Sequence, residues 1–190
     1  MEINNAYHLE ISNYVLEGGK LSRLFSTKTL AEASMMVALT VILREILPPL
    51  YRMPQGGSIT IAGLVPLLWF AIRRGTVAGI FAGIVYGLIN MSFGGYVVHP
   101  VQALLDYPLA FAALGLAGFW KNHPLVGVIF GIAGRFICSF LAGIIFFTSF
   151  SINGVVASAI YNGTYLLGEL VISLAIIFIL VEEDIINVYL

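Results

Sequence analysis

The stretch HPVQALLDYPLAFAALGLAGF, residues 99–119, is apolar almost throughout after Pro100 and long enough to cross a bilayer, yet it carries Asp106. A carboxylate at the centre of a membrane helix costs about 2.5–3.5 kcal/mol on insertion scales, so such a group is usually turned inward and given a partner or a task. At helical spacing His99, Gln102 and Asp106 share one face, continued by Ala110. The pattern recurs twice downstream, in Arg135, Ser139, Ala142 and Phe146, and again in Ser158, Asn162, Tyr165 and Glu169. Three consecutive apolar stretches, each with a partly polar face, are what would line a small-molecule cavity.

The same residues admit purely structural roles. Arg135 can pair with Glu169 or with Asp106 simply to neutralise buried charge. Ser139, Asn162 and Gln102 can be hydrogen-bonding glue between helices. Tyr86, Tyr96 and Phe147, taken singly, fit packing or interfacial aromatics. His99, beside a loop, fits a cap. Asp106 stands apart, because it comes with a polar stripe and with Tyr107 beside it.

The elements that must position these residues follow from composition. The chain is 59% hydrophobic and 10% charged, with a mean hydropathy of +0.98. Soluble domains average about a quarter charged residues, so an integral membrane protein is indicated. A net charge of −1 leaves no basic face for nucleic acid. The single cysteine, Cys138, allows neither a disulfide within the chain nor a zinc-type cluster.

A span needs about 20 apolar residues, and six are predicted: 29–50, 59–72, 76–93, 100–120, 124–148 and 155–181. Residues 1–28 form a partly amphipathic lead-in without signal-peptide features, and residues 29–190 form the membrane domain. Lys20, Arg23, Lys28, Arg73, Arg74 and Lys121 lie in alternate connections, while the opposite ones hold only Arg52. The positive-inside rule then places both termini in the cytoplasm and the polar end of the Asp106 stripe outside. The expected fold is an all-α membrane protein with a cavity opening outward, in contact with membrane lipid.

Two further features are structural in the first instance. The segment RMPQGGSIT, residues 52–60, combines rigid Pro54 with Gln55 and the pliable Gly56-Gly57 pair, which suits a lid over a cavity mouth and equally an external turn. Ser34 and Ala38 make a small-xxx-small pair in the first span, able to dock another membrane protein, and Gly79, Gly83 and Gly87 make a longer row suited to packing within the chain. Phosphate-binding loops, HExxH and GxSxG motifs are absent, so neither an ATP engine, a catalytic residue, a metal site nor a cofactor is expected.

MPQGGS, HPVQALLDY, GRFICSFLAGIIFF and AIYNGTYLL together resemble the thiamine-specific substrate-capture subunits (S components) of energy-coupling-factor transporters, over nearly the whole chain after about residue 30. The resemblance implies a non-enzymatic six-helix subunit in a prokaryotic cell membrane. It would capture thiamine, or a similar cationic vitamin, from outside and join a transmembrane scaffold subunit and two ATPases. By the same resemblance Asp106 faces the thiazolium, followed by Tyr107, and Asn162 lies at the pyrimidine end. Tyr86 stands at a stacking position, Tyr96 at a pocket tyrosine, residues 52–58 form the gate, and Ser34 and Ala38 dock the scaffold. Two departures fall on the pyrimidine side, Ser139 at a histidine position and Ala157 at a tyrosine position, and Phe147 stands where some members have tryptophan.

The residues fit that ligand on physical grounds. A quaternary thiazolium cannot lose its charge by deprotonation, so it needs a fixed anion and aromatic faces; cation–π contact adds about 0.5–2 kcal/mol. Asp106 with Tyr86, Tyr96 and Phe147 can supply both. Alternatives are a capture subunit for another vitamin or a thiamine precursor, a membrane enzyme or assembly factor, and a stand-alone proton-coupled carrier using Asp106, Arg135 and Glu169 as a relay. The lack of an internal repeat speaks against the carrier.

Overall fold

The computed structural model describes residues 26–54, 56–148 and 151–183. Most of the expected lead-in, and Gln55, lie outside the described residues. Among the described residues six helical segments follow one another: α1 (Thr27–Val41, prolonged by a π turn over Ile42–Ile46), α2 (Val65–Arg74), α3 (Thr76–Ser92), α4 (Pro100–Trp120), α5 (Pro124–Phe147) and α6 (Ile152–Glu182). Between α1 and α2 lies a short antiparallel hairpin, β1 (Tyr51–Arg52) with β2 (Ser58–Ile59), in the register Tyr51 to Ile59 and Arg52 to Ser58.

Helix ends follow local chemistry. Ser26 caps α1 by accepting from the Thr29 amide at 3.2 Å, and Ser151 caps α6 by accepting from the Gly154 amide at 3.2 Å. Pro100 and Pro124 open α4 and α5, where a missing N–H is harmless. Helices α4, α5 and α6 are long and apolar enough to cross a membrane, and α3 is a shorter apolar helix.

An apolar core is accompanied by buried polar groups and by an apolar outer surface. Thr40, Gln102, Arg135, Asn162, Glu169 and Ser173 are buried, while Met35, Phe81, Ile160, Leu167 and Val171 point outward. Lipid tolerates the second set and not the first. The chain is a multi-pass membrane protein.

The second predicted span needs correction. Residues 59–72 are not one helix: Ile59 belongs to β2, Ala62 has φ +62°, and α2 begins only at Val65. At 10 residues, α2 is about 15 Å long. It survives because its whole first eight residues, Val65 to Ile72, are buried by its neighbours. Hydropathy registered the burial of this segment but not where its helix starts.

The glycine row of α3 packs within the chain. A methyl group on Gly79, Gly83 or Gly87 would meet backbone atoms of α4, at Gly115, at Phe111–Ala112 and at Tyr107–Pro108 respectively. Such closeness is how membrane helices maximise contact without a hydrophobic drive between them. Gly83→Ala is therefore expected to cost about 1–3 kcal/mol, the usual penalty for overpacking, read as a lower unfolding temperature in a fixed detergent.

Candidate functional site

Proline and small residues distort the helices where the polar stripes lie. Pro108 cannot donate a backbone hydrogen bond, and α4 widens into a π turn over Leu105–Leu109 that carries Asp106. Another π turn, Gly143–Phe147, ends α5. These distortions, the hairpin and the 93–99 connection enclose a cavity of about 810 Å³. Its wall includes Asp106, Tyr107, Gln102, Tyr96, Ser139, Phe147 and Asn162, and Pro54, Gly56 and Gly57 from the loop.

Gln102 organises the acidic side. It is 1% exposed. Its Nε2 donates to Asp106 Oδ2 at 2.7 Å and to the Tyr96 carbonyl at 3.1 Å, while its Oε1 accepts from the Val98 amide at 3.1 Å. One side chain thus fixes both the carboxylate and the connection bearing Tyr96. The Tyr96 and Phe147 rings lie 5.8 Å apart, tilted by 33°, and the Tyr107 hydroxyl donates to the Tyr96 carbonyl at 3.4 Å. An anion beside aromatic faces suits a cation that carries a permanent charge.

Phe147, rather than Phe146, reaches this wall. Straight helical spacing from Arg135 through Ser139 and Ala142 selects Phe146, but the π turn adds a residue and rotates the end of the helix. Phe146 stacks instead on His99, with ring centroids 5.0 Å apart. His99 Nδ1 accepts from the Val101 amide at 3.1 Å, a capping role.

On the opposite side Asn162 is both wall and glue. Its Nδ2 donates to the carbonyls of Ser158 at 3.0 Å and Ser139 at 3.3 Å, and its Oδ1 accepts from the Tyr165 hydroxyl at 3.1 Å. The Ser158 hydroxyl donates to the Phe140 carbonyl at 3.0 Å. These bonds tie α5 to α6 under the cavity. Over it, the Gly57 amide donates to the Tyr161 hydroxyl at 3.1 Å, and no side chain would fit at Gly57 without displacing the Tyr165 ring.

Two expectations about charge and stacking are overturned. Tyr86 does not face the cavity: it is wholly buried, set edge-on against Phe111 at 4.6 Å, and its hydroxyl donates to Glu45 Oε1 at 2.6 Å. Arg135 forms an ion pair with neither Glu169 nor Asp106; its guanidinium lies 4.2 Å over the Phe111 ring. Glu169 pairs with Arg44 at 2.9 Å and accepts from the Thr60 amide at 2.9 Å and hydroxyl at 2.8 Å. Asp106, Arg135 and Glu169 therefore form no continuous relay among the described residues.

Arg44 and Glu45 are site residues that the sequence did not single out. The π turn at the end of α1 sends them apart, Arg44 to Glu169 and Glu45 to Tyr86 and Asn90, and both reach the cavity wall. Two charges near the end of an apolar helix were the only available signal.

Ser34 and Ala38 are exposed on α1 and line a separate apolar groove of about 640 Å³ between α1, α2 and α3.

Residues 30–187 match the thiamine transporter protein family. The chain belongs to that family. It is 33% identical over 163 residues to the thiamine transporter ThiT of Bacillus subtilis, covering 75% of this chain and 84% of that protein. It is 30% identical over 141 residues to the thiamine transporter ThiT of Lacticaseibacillus paracasei, covering 62% and 70%. A solved structure of ThiT from Listeria monocytogenes superposes with a TM-score of 0.72 at 27% identity, covering 82% of this chain and 93% of that one.

Proposed function

We propose that this chain is the membrane-embedded capture subunit of an energy-coupling-factor transporter, binding thiamine from outside the cell membrane for uptake driven by a scaffold subunit and two ATPases. Family membership supports thiamine as the cargo. The observation that carries the site is Asp106, held by Gln102 at 2.7 Å in a cavity that also presents Tyr96, Tyr107 and Phe147. The thiazolium would lie against that carboxylate and those rings, with the pyrimidine toward Asn162 and Ser139. Gln102 already holds the carboxylate, so little reorganisation would accompany binding.

The loop over residues 52–58 would act as the gate, with Ser34 and Ala38 meeting the scaffold. The basic residues 28, 73, 74 and 121 favour a cytoplasmic location for both termini under the positive-inside rule.

Isothermal titration of the purified subunit with thiamine, then with its thiazole and pyrimidine halves, tests the reading. Tight thiamine binding with residual affinity for the N-alkylated thiazolium half is expected; no thiamine binding would sink it. Gly57→Ala tests the gate. Its methyl would enter the Tyr165 ring, and thiamine is expected to dissociate about ten-fold faster, in line with overpacking costs of about 1–3 kcal/mol. An unchanged dissociation rate would remove this loop from the gating role.

A further inference from the structure

The cavity holds a second carboxylate, and its setting is that of a recognition group. Glu45 lines the same wall as Asp106. Its Oε1 accepts from the Tyr86 hydroxyl at 2.6 Å and from Asn90 Nδ2 at 2.6 Å. Tyr86 is itself locked, fully buried against Phe111. Two donors on one oxygen hold the group in a single orientation, and charge-assisted bonds of this length are among the stronger ones. Among the described residues Glu45 has no cationic partner within ion-pair distance: Arg44, its neighbour, is committed to Glu169.

An independent feature of the same cavity also calls for a ligand. Arg135 lines it at 5% exposure, and its Nε and Nη1 carry no hydrogen bond from the described residues. Buried donors without partners are costly, and a polar ligand in the cavity would change their surroundings. The site is thus built around fixed charges that the protein alone leaves incompletely matched.

Resting on the capture reading above, we infer that Glu45 is a second specificity-determining residue, accepting a hydrogen bond from an uncharged N–H or O–H donor of the ligand while Asp106 holds the cationic ring. Thiamine has two such donors, the amino group of its pyrimidine and its hydroxyethyl hydroxyl. Ser139 and Ala157 place only a hydroxyl and a methyl at their two points of the α5–α6 wall, and the neighbouring Arg135 offers donors and no acceptor, so an acceptor from α1 complements that wall. A site that hydrogen-bonds a ligand N–H or O–H discriminates strongly against analogues lacking it.

The test is calorimetry on wild type and Glu45→Gln with thiamine, with oxythiamine, in which an oxo group replaces the amino group, and with thiamine methylated on its hydroxyl. Glu45→Gln is expected to weaken thiamine by about ten-fold or more, the weight of one charge-assisted bond. It is also expected to abolish the wild-type preference for thiamine over one of the two analogues, and which preference vanishes identifies the donor. Tyr86→Phe, which keeps the carboxylate but removes a donor that orients it, is expected to give a smaller loss with the same analogue pattern. It provides the second route should Glu45→Gln fold poorly. Wild-type thiamine affinity in Glu45→Gln, or equal weakening of all three ligands in both variants, overturns the Glu45 role while leaving the capture reading intact. Absence of thiamine binding in the wild type overturns both.

Discussion

Asp106→Asn is expected to insert and fold as the wild type does but to lose about 2–4 kcal/mol of thiamine affinity, roughly 30- to 700-fold in Kd, as when one partner of a desolvated charge pair is removed. Asparagine keeps the shape, and its carbonyl can still accept from Gln102 Nε2, so the 93–99 connection stays in place. What disappears is the fixed negative charge that a quaternary ring needs and cannot replace by shedding a proton. Two fragments of the ligand sharpen the result. An uncharged thiazole half should bind wild type and variant about equally, whereas an N-alkylated one should discriminate. Calorimetry is the right readout, since neither tryptophan lines the cavity: Trp69 is buried in α2 and Trp120 stacks on Phe130 at 4.0 Å. Equal thiamine affinity in wild type and Asp106→Asn would show that the carboxylate is structural and that the cation lies elsewhere.

Glu169→Ala is expected to be the most damaging single change to stability. Its Oε1 accepts from Arg44 Nη1 and from both donors of Thr60, joining the end of α1, the segment after the hairpin and α6 in one buried clasp. Arg44 and Glu169 are 5% and 1% exposed at their side chains. Removing the anion leaves a guanidinium buried without compensation, which costs about 3–5 kcal/mol. In a chain of this size that corresponds to a fall of roughly 6–20 °C in unfolding temperature. The decisive companion is Arg44→Met with Glu169→Leu. Replacing both charges by apolar groups is often neutral or better, so the double variant should recover most of the loss. If it unfolds as early as Glu169→Ala, the clasp acts through Thr60 and the hairpin rather than through the ion pair.

The clasp also explains why adjacent Arg44 and Glu45 take unlike roles. Arg44 turns into the bundle and holds the segment after the hairpin, while Glu45 turns to α3 and faces the cavity. A ligand touching Glu45 would sit one residue from the group that anchors the proposed gate. The connection runs from Glu45 to its neighbour Arg44, from Arg44 to Glu169, and from Glu169 to Thr60.

Much of this architecture was legible in the order of residues because lipid imposes simple constraints. Apolar runs of membrane length located α3 to α6 within a few residues, and helical periodicity gathered Gln102, Asp106, Ser139 and Asn162 onto faces that do line one cavity. The high cost of burying a carboxylate singled out Asp106 without any knowledge of the fold. Three matters were settled only by tertiary structure. The start of α2 was hidden, because a buried non-helical segment is as apolar as a buried helix. That Phe147, named by the resemblance, and not Phe146, reached by helical spacing, lies on the wall depends on a π turn whose single extra residue is invisible to a period of 3.6. The partner of Glu169 lies 125 residues away, and periodicity reports which face a charge occupies, never which distant charge will meet it. For the same reason Tyr86 could be read as a packing or stacking aromatic yet not as the residue that aims Glu45. Sequence determines the faces, and packing between helices decides the pairs.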